Sequence, residues 1–174
     1  PEAVALKTQL FSIHKTLGVS VFLVAVLRIL WALAETRPAP LHPERRLETL
    51  AAETVHWALY LSLVVVPLSG WIHHAAVEGF APILWPFGQG LPFVPKSEAV
   101  AAAASATHEV FTKVLFLAVA LHFAGALKHA VIDRDLTVAR MTVGTAAGRP
   151  QEKAGRAPMV IALALFALGA VGAW

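Results

Sequence analysis

The chain has 174 residues, 57% of them apolar and 14% charged, with a mean hydropathy of +0.67. A soluble domain carries nearer a quarter of its residues as charges, so the composition argues against one. The absence of cysteine rules out iron–sulfur clusters, thiolate metal sites and covalently attached c-type haem, and a net charge of +3 points to no nucleic-acid partner.

Apolar stretches lie at 10–34, 54–77, 110–127 and 158–174, to be compared with the roughly 17–25 residues that cross a bilayer. The first two suffice, the third does once Ala99–Thr107 is added, and the fourth is marginal. The sequence therefore predicts an all-α membrane protein with four transmembrane helices in an up-and-down bundle. Residues 1–9 read as an amphipathic lead-in to helix one, which Arg37-Pro38-Ala39-Pro40 stops because proline breaks the helical ladder. Residues 41–53 read as a charged surface turn of helix leading into helix two. There Pro67 and Gly70 invite a kink, tolerable where neighbouring helices cover the backbone. The stretch Val77–Pro95, with Phe80, Trp85, Phe87, Phe93 and four prolines, is too apolar for a free loop. It is expected on the membrane interface or as a lid over the bundle. Helix three starts near Ser97 or Ser105 and ends near Asp133-Arg134-Asp135. Helix four, 158–174, has no histidine and no ionisable group, which leaves it packing or anchoring.

Lysine and arginine set the orientation. Arg37, Arg45 and Arg46 follow helix one, and Lys128, Arg134, Arg140, Arg149, Lys153 and Arg156 follow helix three, whereas the segment between helices two and three holds Lys96. The positive-inside rule puts the 35–53 and 128–157 loops in the cytoplasm and the N-terminus and the 78–98 loop outside. An outside start at Pro1, without methionine or signal peptide, suggests that a preceding helix is missing, and the stop at Trp174 suggests truncation there too.

Imidazoles in hydrocarbon are expensive and usually functional. His108 and His122, fourteen residues apart on helix three, stand about 40° apart round the helix and about 21 Å apart along it. His14 on helix one matches the outer depth of His108, and His56 at the inner end of helix two matches the depth of His122. Two imidazoles at one depth on different helices clamp an iron from both faces, so the pattern predicts non-covalent, bis-histidine haem at one or two levels. Metal-ligand candidates are His14, His108, His122 and His56. Gly18 and Gly125 offer room for a porphyrin, although small residues also serve helix packing. Arg28, at inner depth, either pairs with a propionate or snorkels to the interface. Lys15 and Lys113 either bind outer propionates, attract an anion, or are plain interfacial lysines. His129 at the inner edge either bonds a quinone carbonyl and passes a proton or is an ordinary interfacial histidine. His73-His74 are read as contacting solvent or headgroups, and His42 as incidental.

The segments "IHKTLGVSVFLVAVLRILW", "HWALYLSLVVVPLSGWI" and "HEVFTKVLFLAVALHFAGALKHAVIDRDLTVARM" resemble the last three helices of the bacterial di-haem cytochrome b561 family. That wider group includes the cytochrome b subunits of hydrogenases and formate dehydrogenases. The resemblance implies a haem-binding bundle over 1–141, followed by a cytoplasmic linker (142–157) and an additional helix (158–174). It implies haem b, ubiquinone as redox partner, and the bacterial inner membrane with its lipid as the setting. His14 and His108 resemble the outer-haem pair and His122 one inner ligand. The family's other inner ligand sits on a first helix that this chain lacks, so either His56 substitutes or the partner lies elsewhere. Some members oxidise superoxide outside and reduce ubiquinone. Two readings follow: an electron carrier between a donor and the quinone pool, of the superoxide:ubiquinone oxidoreductase kind, or a haem-bearing anchor subunit of a larger dehydrogenase or respiratory complex.

Overall fold

In hydrocarbon every backbone N–H and C=O must be satisfied within the protein, and a single apolar run achieves this only as a helix. The computed structural model describes residues 2–34, 41–77, 81–143 and 157–172, and among these there is helix and no strand. The order is α1 (Glu2–Ala34), α2 (Arg46–Ala76), α3 (Glu98–Leu127), a π-helical turn (Lys128–Asp133), α4 (Thr137–Val143) and α5 (Ala157–Gly172). Glu2–Ala34, Arg46–Ala76 and Glu98–Asp133 are each long and apolar enough to cross a membrane, and α5 is a shorter apolar helix of 16 residues. The chain is a multi-pass membrane protein, with three long apolar helices and one shorter apolar helix among the described residues.

Several boundaries differ from expectation. Residues 2–9 continue α1 instead of forming a separate lead-in, since no proline or glycine interrupts the run between Glu2 and Leu17. The 41–53 stretch divides, its second half becoming the first turns of α2. That helix continues through Pro67 to Ala76. The stop at Arg37–Pro40 and most of the 142–157 linker lie outside the described residues, although α4 shows that 137–143 is helical.

Helix α2 is the centre of the bundle, packing on α1, α3 and α5, with α3 its most extensive partner. The seam on α3 is small: Ala101, Ala104, Phe111 and Ala118 are buried at heptad spacing. Ser62, Ser69 and Ala76 answer them on α2. Small side chains let helix backbones approach closely where lipid offers no hydrophobic drive between them. His108 and His122 continue this same stripe, so the packing that joins α2 to α3 also turns both imidazoles inward. Helix α5 lies against α2 and α3, with Ala162 buried and Phe166 stacked on Phe111 at 4.7 Å. The outward faces of α1, including Leu17, Val24, Leu27 and Trp31, stay exposed, as lipid-facing residues should.

The outer connection is a lid. Ser97 caps α3 and its N–H donates to Ala76 O, tying the end of α2 to the start of α3. Ala81 and Ile83 are buried, Leu84 N–H donates to Thr16 Oγ1 at 2.9 Å, and Trp71 Nε1 donates to Gln89 O at 3.0 Å. Apolar side chains thus draw the 81–95 segment down over α1 and α2. At the opposite end, α3 widens into the π-helical turn. Arg134 then enters the left-handed region (φ 50°) and reverses the chain, bringing Asp135 back against His129.

Candidate functional site

Two histidine pairs meet at two levels, termed outer and inner after the orientation expected from the sequence. The ring centroids of His14 on α1 and His108 on α3 are 6.2 Å apart and nearly perpendicular, at 81°. His56 on α2 and His122 on α3 are 5.3 Å apart at 60°. A histidine nitrogen binds a transition metal at about 2.0–2.1 Å, so two imidazoles on opposite faces of one iron have centroids about 6.3 Å apart. The outer pair stands at that separation. The inner pair is about 1 Å short of it and must part by that much to hold an iron between its members.

The outer site is built by α2 as much as by its two histidines. His108 Nδ1 donates to Val66 O at 2.8 Å. That bond fixes the neutral ring as the Nδ1–H tautomer and leaves the Nε2 lone pair for a ligand, as for metal-bound histidine generally. Gly70 makes the approach possible: a Cβ there would lie 3.0 Å from His108 Nδ1 and 3.1 Å from Cε1. A cavity of about 240 Å³ adjoins the pair and includes Gly18, where an added Cβ would meet nothing within 4 Å. Paired imidazoles, a committed Nδ1, open space and no thiol for covalent attachment fit a non-covalent b-type haem.

Lys15 is buried beside this site, 8% exposed, and its Nζ donates to Ala81 O at 2.5 Å and Gln89 Oε1 at 3.2 Å. With Thr16, which accepts from Leu84 N–H, it ties α1 to the lid. Lys113 instead pairs with Glu109 at 2.7 Å on the exposed face of α3. His73 and His74 depart from expectation. Both are half-buried, His73 Nδ1 donates to Ala101 O at 2.8 Å, and His74 lines the outer cavity. The lid and the α2–α3 contact cover what the sequence placed at the headgroups.

The inner site is a larger cavity, about 830 Å³, running from His56 and His122 to Arg28, His129 and Arg140. At its mouth His129 Nδ1 donates to Asp135 Oδ2 at 2.8 Å and lies 3.2 Å from Asp133 Oδ2. His42 Nε2 reaches the same Asp135 oxygen at 3.1 Å, so His42 belongs to this network rather than being incidental. Burial works to raise the Asp135 pKa, but the Thr137 hydroxyl and backbone N–H together with His129 overcome it. They hold the carboxyl well below the usual range. Glu48, His129 and Asp133 have ligand atoms within 4.8 Å of one another. The two carboxylates are already met by Lys128, at 3.0 and 2.7 Å, and Asp133 also by Arg45 at 3.2 Å. The hydrogen bond to Asp133 raises the Arg45 pKa.

The sequence singled out Gly70 and His74 but not their place at the outer site, and it missed the His42–Asp135 link. A glycine opposite a histidine has no signature in one sequence, and His42 meets Asp135 across 93 positions. Comparison with known proteins gives a consistent result. The family model for prokaryotic cytochrome b561 matches residues 1–144. The chain is 30% identical over 129 residues to cytochrome b561 homolog 2 of Escherichia coli (strain K12), covering 74% of this chain and 68% of that protein. It is 26% identical over 130 residues to cytochrome b561 homolog 1 of the same organism, covering 74% and 72%. No solved structure matches.

Proposed function

The chain belongs to the prokaryotic cytochrome b561 family, a family of membrane proteins that carry electrons on b-type haem, and we propose that it passes electrons between haem levels within the membrane and the quinone pool. The observation that carries this reading is the meeting of His14 with His108 at 6.2 Å and of His56 with His122 at 5.3 Å. Haem b, when bound, supplies a one-electron iron couple whose potential the axial ligands and surroundings set. The chain's part is to supply ligands, spacing and a low-dielectric wall.

His14 and His108 would hold the outer group, with Val66 and Gly70 fixing the His108 ring. His122 would hold the inner group, and His56 is the imidazole that faces His122. Along α3 the two levels are separated by about 21 Å of helix axis. Arg28, at the inner cavity, offers its guanidinium to a propionate. His129 donates Nδ1–H to Asp135, so it bonds a quinone carbonyl at the cavity mouth as the imidazolium, through Nε2–H. Reduction of a quinone takes two electrons and two protons, and the His129–Asp135–His42 network places imidazole protons where that demand arises. The protein sits in the bacterial inner membrane with its N-terminal end outside, so this mouth faces the cytoplasm. A one-electron donor such as superoxide then acts at the outer level, with ubiquinone as the acceptor.

The test is reduction and reoxidation of the purified protein. The reading expects a low-spin haem b spectrum that is bleached by a short-chain ubiquinone, with His129→Gln slowing the bleaching but leaving the haem content unchanged. Haem that reduces normally yet is never reoxidised by quinone contradicts the quinone assignment.

A further inference from the structure

His74 has no place in the electron path just described, yet it is built into the outer site. It stands one helical turn beyond Gly70, the residue against which His108 packs, and it lines the same cavity as His14, His108 and Lys15. Its Nδ1 is buried without a hydrogen-bond partner among the described residues. Buried polar atoms in native proteins are almost always satisfied, and an orphan points to a group the protein expects. Lys15 poses the same question. Its buried ammonium meets two neutral oxygens, Ala81 O and Gln89 Oε1, and no carboxylate among the described residues. Buried charges are normally paired with opposite charge, and an ammonium has three protons to donate. Lys15 and His74 line one small cavity, and with the His74 proton on Nδ1 the two would offer a cation and an N–H donor, a pair suited to an anion with two acceptor oxygens.

We propose that Lys15 and His74 form a carboxylate-binding site beside the His14–His108 pair, and that the carboxylate it takes is a propionate of the outer haem. This rests on the reading of His14 and His108 as haem ligands. Lys15 Nζ donates to one carboxylate oxygen and His74 Nδ1–H to the other, and Lys15 keeps its bonds to the lid. The anchoring carboxylate, the lid and α1 are thereby joined through one ammonium, so cofactor loading and lid closure reinforce each other.

The test compares haem loss to excess apomyoglobin from protein loaded with protohaem or with its dimethyl ester, in which both propionates are blocked. With protohaem, His74→Phe and Lys15→Met should each speed loss of the outer haem by about tenfold or more, the scale of a charge-assisted hydrogen bond. His74→Gln, which keeps a donor, should recover most of that loss. With the ester, the wild type should lose haem as fast as the variants, and the substitutions should add nothing further. Equal acceleration of protohaem and ester loss by the variants makes Lys15 and His74 merely structural and overturns the proposal. So does protohaem loss that the variants leave unchanged. If added acetate shifts the outer-haem spectrum of protohaem-loaded wild type but not of Lys15→Met, the site takes a free carboxylate and the propionate assignment is wrong. Wild-type protein with no Soret band removes the haem reading itself, a different failure from any of these.

Discussion

Replacing Gly70 by alanine separates helix stability from cofactor binding. Alanine is the better helix former by about 1 kcal/mol in a helix interior. At this position its Cβ would lie 3.0 Å from His108 Nδ1 and 3.1 Å from Cε1, so the ring must retreat by about 0.4 Å to reach ordinary contact. Crowding of this kind costs about 1–3 kcal/mol, and stretching the 2.8 Å bond from His108 to Val66 O forfeits up to about 1 kcal/mol more. The terms oppose one another, and the apoprotein should lose only about 1 kcal/mol, with at most about 3. The ligand is less forgiving, because a retreat of about 0.4 Å takes up most of the roughly 0.5 Å within which a metal-binding group must be held. Gly70→Ala should therefore weaken the outer haem while the inner component and the fold persist. Thermal unfolding together with component-resolved reduced-minus-oxidised spectra reads both effects. A Gly70→Ala protein with an unchanged outer spectrum and midpoint potential would mean that the contact between Gly70 and His108 does not position the outer ligand.

Gly18→Ala should act oppositely on the two readouts, since its Cβ meets nothing within 4 Å. The apoprotein should gain up to about 1 kcal/mol while outer haem is retained less well; unchanged retention means that the porphyrin does not lie against Gly18. His14→Ala and His108→Ala should each remove the outer component and spare the inner, and His122→Ala should do the reverse, as should His56→Ala if that ring completes the inner pair. Loss of one common component in all of them contradicts the two-level arrangement. Asp135 carries a lowered pKa, so its stabilising effect is complete above the unfolded carboxyl pKa of about 3.9 and fades as pH falls through that value toward the folded one. The difference in melting temperature between wild type and Asp135→Asn should thus shrink as pH falls below about 4; a gap that stays constant from pH 5 to pH 3 contradicts the linkage.

Much of the bundle was legible because hydrocarbon reduces the choice of backbone to helix, and the 3.6-residue period then fixes which side chains share a face. That period alone aligned His108 with His122, and the apolar runs supplied the depths that match them to His14 and His56. The remaining features depend on contacts that no local pattern encodes. His73 and His74 are neighbours about 100° apart on one helix, so only the docking of α3 and the lid decides which bonds Ala101 and which lines the cavity. Lys15 looked interfacial until the 81–95 segment folded over it. The inner pair is the least legible of all. The sequence placed His56 and His122 at one depth, but only the packing of α2 on α3 sets the 5.3 Å between them.

Whether imidazoles of this chain hold b-type haem from both faces is read most directly by a pyridine haemochrome assay with a reduced-minus-oxidised visible spectrum on the purified protein. The expected result is haem b, low-spin and extractable by acid acetone, because there is no cysteine to attach it and the outer imidazoles stand 6.2 Å apart. Fully folded, membrane-inserted protein with no Soret band, or a high-spin haem indifferent to His14→Ala and His108→Ala, contradicts it.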